Sequence, residues 1–137
     1  MFTEIFLITV VCLICFIVHQ IRILIPINRF LNRSSAAIDL SIIACFIGKE
    51  QLIKEGVLHK NGNTTIKADV YTIEIGKDIS EKEMLIRVVE IIKDAMKYAE
   101  KVKEMKHSEN YELLIYLKRE IIMQLWEKHG VRPIELT

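Results

Sequence analysis

The sequence predicts a mainly α-helical protein with a minor β component, and three patterns carry that prediction. Residues 5–18 form an unbroken apolar run. Residues 64–75 alternate and are rich in β-branched side chains, which is typical of a strand. Ser80 and Glu83 form a capping box before a segment of helical periodicity. The expected order is an N-terminal apolar helix, a second amphipathic helix, a short β-hairpin or strand, and a C-terminal antiparallel helix hairpin.

The apolar run is too short to cross a bilayer unless it is extended. Its helix would rise about 21 Å, against a hydrocarbon core of about 30 Å. Extension to Ile27 gives about 34 Å of helix and admits His19, Gln20 and Arg22 near one end, where Arg22 can snorkel to the headgroups. Pro26 is then expected to end or kink the helix. We therefore predict one membrane-spanning helix, whose partner is a lipid bilayer.

The distribution of charge predicts the orientation of this helix. Arg22, Arg29 and Arg33 follow the apolar run, whereas Glu4 is the only ionised side chain before it. The positive-inside rule places the N-terminus outside and the C-terminal domain in the cytoplasm. A cleaved signal peptide is not favoured, because the run lacks a positively charged start and a small-residue cleavage site. The arginines could also attract anionic lipid, at about 1 kcal/mol each.

One face of the predicted span differs from the others. At 100° per residue it carries Glu4, Ile8, Cys12, Cys15, His19 and Arg22. The two cysteines and the histidine have usable spacing for metal ligands, but a structural zinc site needs a fourth ligand. Small polarisable cysteines also suit close contact between helices. We interpret these residues as a helix-partner face, named here the polar stripe, and expect no metal and no cofactor.

The segment after the span reads as a polar, basic connector at residues 28–33. Ser34 or Ser35 is the expected N-cap of the second helix, and Gly56 is its expected stop. The predicted domains are residues 1–33, a membrane anchor with its connector, and residues 34–137, a small, mainly helical cytoplasmic domain.

The alternating segment is expected to form one strand with Tyr71, Ile73 and Ile75 on the same face. Asn61-Gly62 is a turn signal, so residues 57–60 are the candidate hairpin partner. Because two strands alone are marginally stable, the helices or another subunit must complete the sheet.

The last helix is expected to run from Tyr111 to His129 and to stop at Gly130. It is apolar on nearly every side, which is unusual for an outer helix of a monomer. One stripe comprises Leu114, Leu117, Ile121 and Leu125, and the predicted interaction face comprises Tyr111, Ile115, Ile122 and Trp126. Either the helix is central to the domain or its second stripe meets another subunit. For so small a domain we favour the second, and the prediction is a homo-oligomer or a larger protein assembly.

Composition and motifs argue against several classes of function. Nineteen basic and eighteen acidic residues give a net charge of +1, so we expect no nucleic-acid partner. Three cysteines in apolar settings suggest reduced thiols. No nucleotide-binding, hydrolase or zinc motif is present, and we expect a protein that is not an enzyme.

An apolar span followed by a charged helical part is similar in layout, though not in any motif, to small phage holins and other membrane-anchored accessory proteins. The first hypothesis is a membrane-anchored structural or assembly subunit that oligomerises or docks a larger complex. The second is a holin-type protein that permeabilises a membrane. The third is a subunit of a soluble or virion assembly, with the apolar helix buried in protein.

Overall fold

The computed structural model describes residues 1–137 as a small helical bundle that carries a β-hairpin, with one helix extending far beyond it. The predicted class, mainly α with a minor antiparallel sheet, is confirmed. The helices are α1, Phe2–Cys45; α2, Lys49–Lys54; α3, Glu81–Lys97; and α4, Glu109–His129. The strands are β1, Asn63–Ala68, and β2, Tyr71–Gly76. Short 3-10 turns cover Tyr98–Lys101, Lys103–His107 and Pro133–Glu135.

The predicted connector at residues 28–33, which would separate two helices, is wrong because α1 continues through these residues. Pro26 lies inside the helix and removes one backbone donor, which costs about 3 kcal/mol relative to alanine. Phe30, only four residues later, is fully buried in the bundle. Burial of this ring holds the next turns helical despite the polar residues around it.

The predicted N-cap at Ser34 or Ser35 is wrong for the same reason. Both serines lie in the interior of α1, and Ser34 is completely buried. Its hydroxyl donates to the Leu31 carbonyl at 3.1 Å and accepts the amide of Asn110 at 2.9 Å. A serine inside a helix can bond back to a preceding carbonyl in this way, so the residue type alone does not mark a helix start.

The second predicted helix is divided, because the chain leaves helical geometry after Cys45 and resumes at α2. Gly48 precedes α2 in extended geometry, and Leu52 buries its side chain in the core. The segment ends as expected, since Gly56 has a φ of +77°, a conformation that glycine adopts without strain.

The predicted single strand at residues 64–75 is instead the whole hairpin. It reverses at Asp69 and Val70, and Asp69 has a φ of +55°, which aspartate tolerates better than most residues. Residues 57–60 form no strand, so that predicted pairing is wrong. The predicted inward face is confirmed: Tyr71, Ile73 and Ile75 are at most 5% exposed. An alternating pattern can continue through a two-residue turn, which is why the sequence pattern did not predict the chain reversal at Asp69 and Val70.

The two C-terminal helices form the predicted antiparallel hairpin. Ser80 is the N-cap of α3, since the Glu83 amide donates to Ser80 Oγ at 3.1 Å, which is one of the two hydrogen bonds of a capping box. The end of α4 lies beside the start of α3, where His129 Nε2 is 3.7 Å from Glu81 Oε2. Gly130, with a φ of +67°, ends α4.

The C-terminal third of α1 is the third helix of the bundle. The guanidinium of Arg33 lies 5.5 Å from the ring centroid of Tyr98, just beyond the end of α3. The bundle part of α1 therefore runs antiparallel to α3 and parallel to α4. Residues before Phe30 project from the end of the bundle where α3 connects to α4.

Candidate functional site

The projecting part of α1 is the largest uncovered apolar surface of the chain. It is long and apolar enough to cross a bilayer, and none of its most apolar window is buried. Phe6 is 68% exposed and Phe16 is 60% exposed. Soluble monomers rarely leave contiguous apolar patches larger than a few hundred Å² uncovered. An exposed apolar surface of this size marks a candidate site of contact with a membrane or with another protein.

All six residues of the polar stripe lie on this projecting part, and all are exposed. The stripe is in phase with the face of α1 that enters the bundle. Cys12 lies eighteen residues, or about five turns of an α-helix, before the buried Phe30. His19 lies the same distance before the buried Ala37. The polar stripe is thus on the same side of α1 as the bundle.

The predicted interaction face on α4 is only partly exposed. Ile115 is 36% and Trp126 is 51% exposed, whereas Tyr111 and Ile122 are half-buried. Tyr111 is covered by α1, because its ring centroid lies 6.4 Å from that of Phe30. Nothing in the sequence of α4 indicates that α1 packs against Tyr111.

The sequence prediction missed two larger apolar side chains on the outer side of α4. Tyr116 is 53% exposed and Met123 is 48% exposed. They lie two turns apart, on the side of α4 roughly opposite the buried stripe that begins at Leu114. Their position opposite that stripe could have predicted from the sequence that they are exposed. Glu112 and Arg119 stand on the same side. We name Ile115, Tyr116, Met123 and Trp126 the outer face of α4.

A polar cluster joins α1 to the hairpin at the end from which the helix projects. Arg33 Nη1 lies 3.1 Å from Asp69 Oδ2, and the guanidinium also lies 5.8 Å from the ring centroid of Tyr71. The hydroxyl of Tyr71 donates to Asp94 Oδ2 at 2.6 Å. Burial raises the pKa of Tyr71, the Asp94 carboxylate raises it further, and Arg33 opposes the rise. This cluster fixes the position of the hairpin turn relative to α1.

Outside these surfaces the chain offers little that resembles a reaction site. The grooves of the bundle are open and measure between about 270 and 430 Å³. The most apolar of them is lined in part by Ile47, Leu52 and Met84. Beside it, burial raises the pKa of the Cys45 thiol, which lies in the bundle part of α1, to about 11. That thiol is therefore protonated and unreactive at neutral pH.

No group of three His, Cys, Asp or Glu side chains is placed to hold a metal ion. Cys12, Cys15 and His19 share one side of an exposed helix and have no further ligand beside them.

No protein-family model, curated protein sequence or solved structure matches this chain.

Proposed function

We propose that this protein is a non-enzymatic, membrane-anchored assembly subunit. In this proposal α1 crosses the bilayer, and the outer face of α4 binds a protein partner on the cytoplasmic side. One observation carries it: the uncovered apolar segment and the folded bundle belong to one uninterrupted helix. A partner bound to α4 would consequently be held at a set distance from the membrane, with no flexible linker between them.

The positions of the arginines support the orientation. Arg22 lies at the end of the apolar segment, and Arg29 and Arg33 lie beyond it on the bundle side. Their arrangement favours a cytoplasmic bundle under the positive-inside rule. The remaining charges of the bundle are almost balanced, so these three residues dominate the asymmetry next to the span.

The phase of the polar stripe bears on what that stripe contacts. Packed helices lie about 8–10 Å apart, whereas a single helix with its side chains is already about 10 Å wide. A second copy that paired along the stripe in the same orientation would bring two bundles into the same space. The stripe therefore suits a span from another protein better than a second copy of this one.

The outer face of α4 is the better candidate for a protein contact in the cytoplasm. Aromatic residues and methionine are enriched in interface cores, and this face presents Tyr116, Met123 and Trp126 with Arg119 among them. The partner would be a protein with its own apolar surface, either a second copy meeting at this face or a larger assembly.

Carbonate extraction followed by mass measurement in mild detergent tests both parts of the proposal. We expect the full chain to remain in the membrane pellet and to elute as a complex heavier than one subunit. Tyr116→Lys combined with Met123→Lys should remove the added mass, whereas Thr65→Lys, on the exposed side of β1, should not. An unchanged complex in the double variant would contradict docking through α4.

The polar stripe supports a second candidate, a holin-type protein that permeabilises membranes. It predicts that expression depolarises cells and that His19→Leu alters the timing. The assembly subunit instead predicts harmless expression. If the full chain stays in the supernatant without detergent as a defined oligomer, protein rather than lipid covers α1, and the membrane proposal is wrong.

A further inference from the structure

The end of the bundle from which α1 projects has a defined set of elements. The turn between β1 and β2 lies there, because Asp69 pairs with Arg33 at 3.1 Å. The hairpin points toward the projecting segment, since Tyr71 lies beside Arg33 whereas Ile75, four residues later, lines a groove with Cys45 at the other end of the bundle part of α1. Val70 is therefore the tip residue of the hairpin on the side of the span.

The height of this end above the predicted hydrocarbon core follows from the rise of α1. Arg29 lies two residues beyond Ile27, or about 3 Å, and Arg33 lies about 9 Å beyond it. Each headgroup layer is about 5–8 Å thick, taken from a bilayer of about 40–45 Å and a core of about 30 Å. Arg29 thus falls within the layer, and Arg33 with its partner Asp69 falls at its outer border.

The structure shows a surface path between the span and the hairpin turn. A shallow groove of about 280 Å³ is lined by Ile25, Asn28, Arg29, Asn32, Arg33 and Asp69. It begins at a residue of the predicted span and ends at the turn. Its exposed cation, Arg29, has no carboxylate partner, whereas the charge of Asp69 is balanced by Arg33.

The tip itself has the chemistry of an interfacial contact. Val70 is 57% exposed although it is β-branched and apolar. Lys101, Lys103 and Lys106 lie in the connection between α3 and α4 at the same end, against Glu100 and Glu104. An apolar tip with nearby cations suits the headgroup layer of an anionic membrane, whose outer border the rise of α1 places beside Asp69.

We propose that Val70 and Arg29 form a second membrane contact, which holds the end of the bundle against an anionic lipid surface. This inference rests on the proposed anchoring of α1. The second contact would prevent the bundle from tilting about the end of the span, and would keep α4, which runs away from this end, directed into the cytoplasm.

The position of Val70 can be tested in the full chain reconstituted into vesicles of phosphatidylcholine and phosphatidylglycerol. The chain has one tryptophan, Trp126, near the far end of α4. Val70→Trp in a Trp126→Phe background places the only indole at the hairpin tip. We expect its emission to be several-fold less sensitive to aqueous iodide than that of Thr65→Trp in the same background, which places the indole on the exposed side of β1.

Two results separate this inference from the anchor on which it rests. Flotation of the wild-type protein with the vesicles reports the anchor alone. If the protein floats but the indole at the tip is quenched by iodide as strongly as that of Thr65→Trp, the second contact is wrong and the anchor stands. If the protein does not float, the membrane proposal itself fails.

Hydrogen exchange tests the same contact in the wild-type protein, without a substitution at Val70. Hydrogen exchange at the amides of Asp69 and Val70 should be several-fold slower in the anionic vesicles than in neutral detergent micelles. The turn at Asn61-Gly62, at the opposite end of the hairpin, should exchange equally in both. If the amides of Asp69 and Val70 also exchange at the same rate in vesicles and in micelles, the proposal is wrong. Arg29→Gln should reduce the protection in anionic vesicles and leave flotation unchanged.

Discussion

The two parts of α1 have the same backbone geometry and opposite surroundings. Before Phe30 the side chains project into the medium, and from Phe30 to Cys45 one face of the helix is buried against α3, α4 and the hairpin. The two parts also differ in their side chains. The first part is apolar on most sides, whereas the second part has a buried face and an exposed face. The same helical backbone therefore has two kinds of surroundings, and the side chains that each part can bury decide which partner covers it.

Polar residues behave differently in the two parts. In the bundle, Ser34 and Ser41 are fully buried, and their hydroxyls bond to helix carbonyls at 3.1 and 2.6 Å. In the projecting part, His19 and Arg22 are exposed and bond to no other side chain. A buried polar group must find a partner within the protein. The exposed residues of the polar stripe would come under the same requirement only inside the membrane proposed for α1.

The largest expected effect comes from shortening one phenylalanine in each part. Phe30→Ala should lower the free energy of unfolding of the bundle by about 3–5 kcal/mol, because it opens a cavity in a packed core. Phe16→Ala, in the projecting part, should leave that free energy unchanged. Urea unfolding in detergent micelles, followed by Trp126 fluorescence, measures both. Equal losses in the two variants would show that the projecting part is packed against protein.

A charge in the projecting part should act on membrane insertion instead of on folding. Leu13→Lys places an ammonium near the middle of the span, at a cost of about 2.5–3.5 kcal/mol for insertion. We expect the carbonate-resistant fraction to fall while the unfolding of the bundle in micelles stays the same. The matched control is Leu13→Ile, which should change neither property. If the lysine variant fractionates like the wild type, lipid does not surround this part of α1.

Two substitutions at Ser34 distinguish a helix interior from a helix start. At an N-cap, glycine is tolerated better than alanine, whereas inside a helix glycine costs about 1 kcal/mol more than alanine. Because α1 is continuous, Ser34→Gly should destabilise the bundle by about 1 kcal/mol more than Ser34→Ala. Thermal or urea unfolding of the two variants gives the difference. The reverse order would restore the separate helices that the sequence suggested.

The smallest effect concerns Tyr71, which ties the hairpin to α3. Tyr71→Phe removes the hydrogen bond to Asp94 and should cost about 1 kcal/mol. The pKa of Tyr71 is raised in the folded state, so the unfolded chain loses this proton first as the pH increases. The stabilisation is therefore complete below about pH 10, the usual pKa of tyrosine, and declines above it.

Urea unfolding at pH 8 and at pH 11 checks this dependence. The wild type should lose more stability between the two values than Tyr71→Phe does, since the variant has no proton to lose at that position. Tyr116→Phe is the matched control on the exposed side of α4, and it should retain the dependence. Identical behaviour of the wild type and Tyr71→Phe would contradict the assignment.

Short-range patterns predicted much of this molecule. The N-cap at Ser80, the stop at Gly130, and the inward face of Tyr71, Ile73 and Ile75 all involve residues within a few positions of one another, and all are confirmed. The joints between elements were predicted less well. The turn at Asp69 continues the alternation of its strand, so nothing local marks it.

The candidate interfaces divide in the same way. The sequence predicted a polar stripe on a long apolar helix, and the structure leaves all six of its residues exposed. The outer face of α4 was only half predicted. Tyr111 was assigned to it and is covered by Phe30, whereas Tyr116 and Met123 were left out and are exposed.

The sequence alone determined that the chain is mainly helical, that it carries one long apolar segment, and which face of β2 points into the core. These properties depend on side-chain periodicity and on caps, which act within a few turns. Only the tertiary structure decided that α1 passes unbroken from the apolar segment into the bundle, and which side of α4 remains open. Both outcomes involve Phe30, which packs against Tyr111, eighty-one positions away; its burial holds the connector helical, and its ring covers one side of the start of α4.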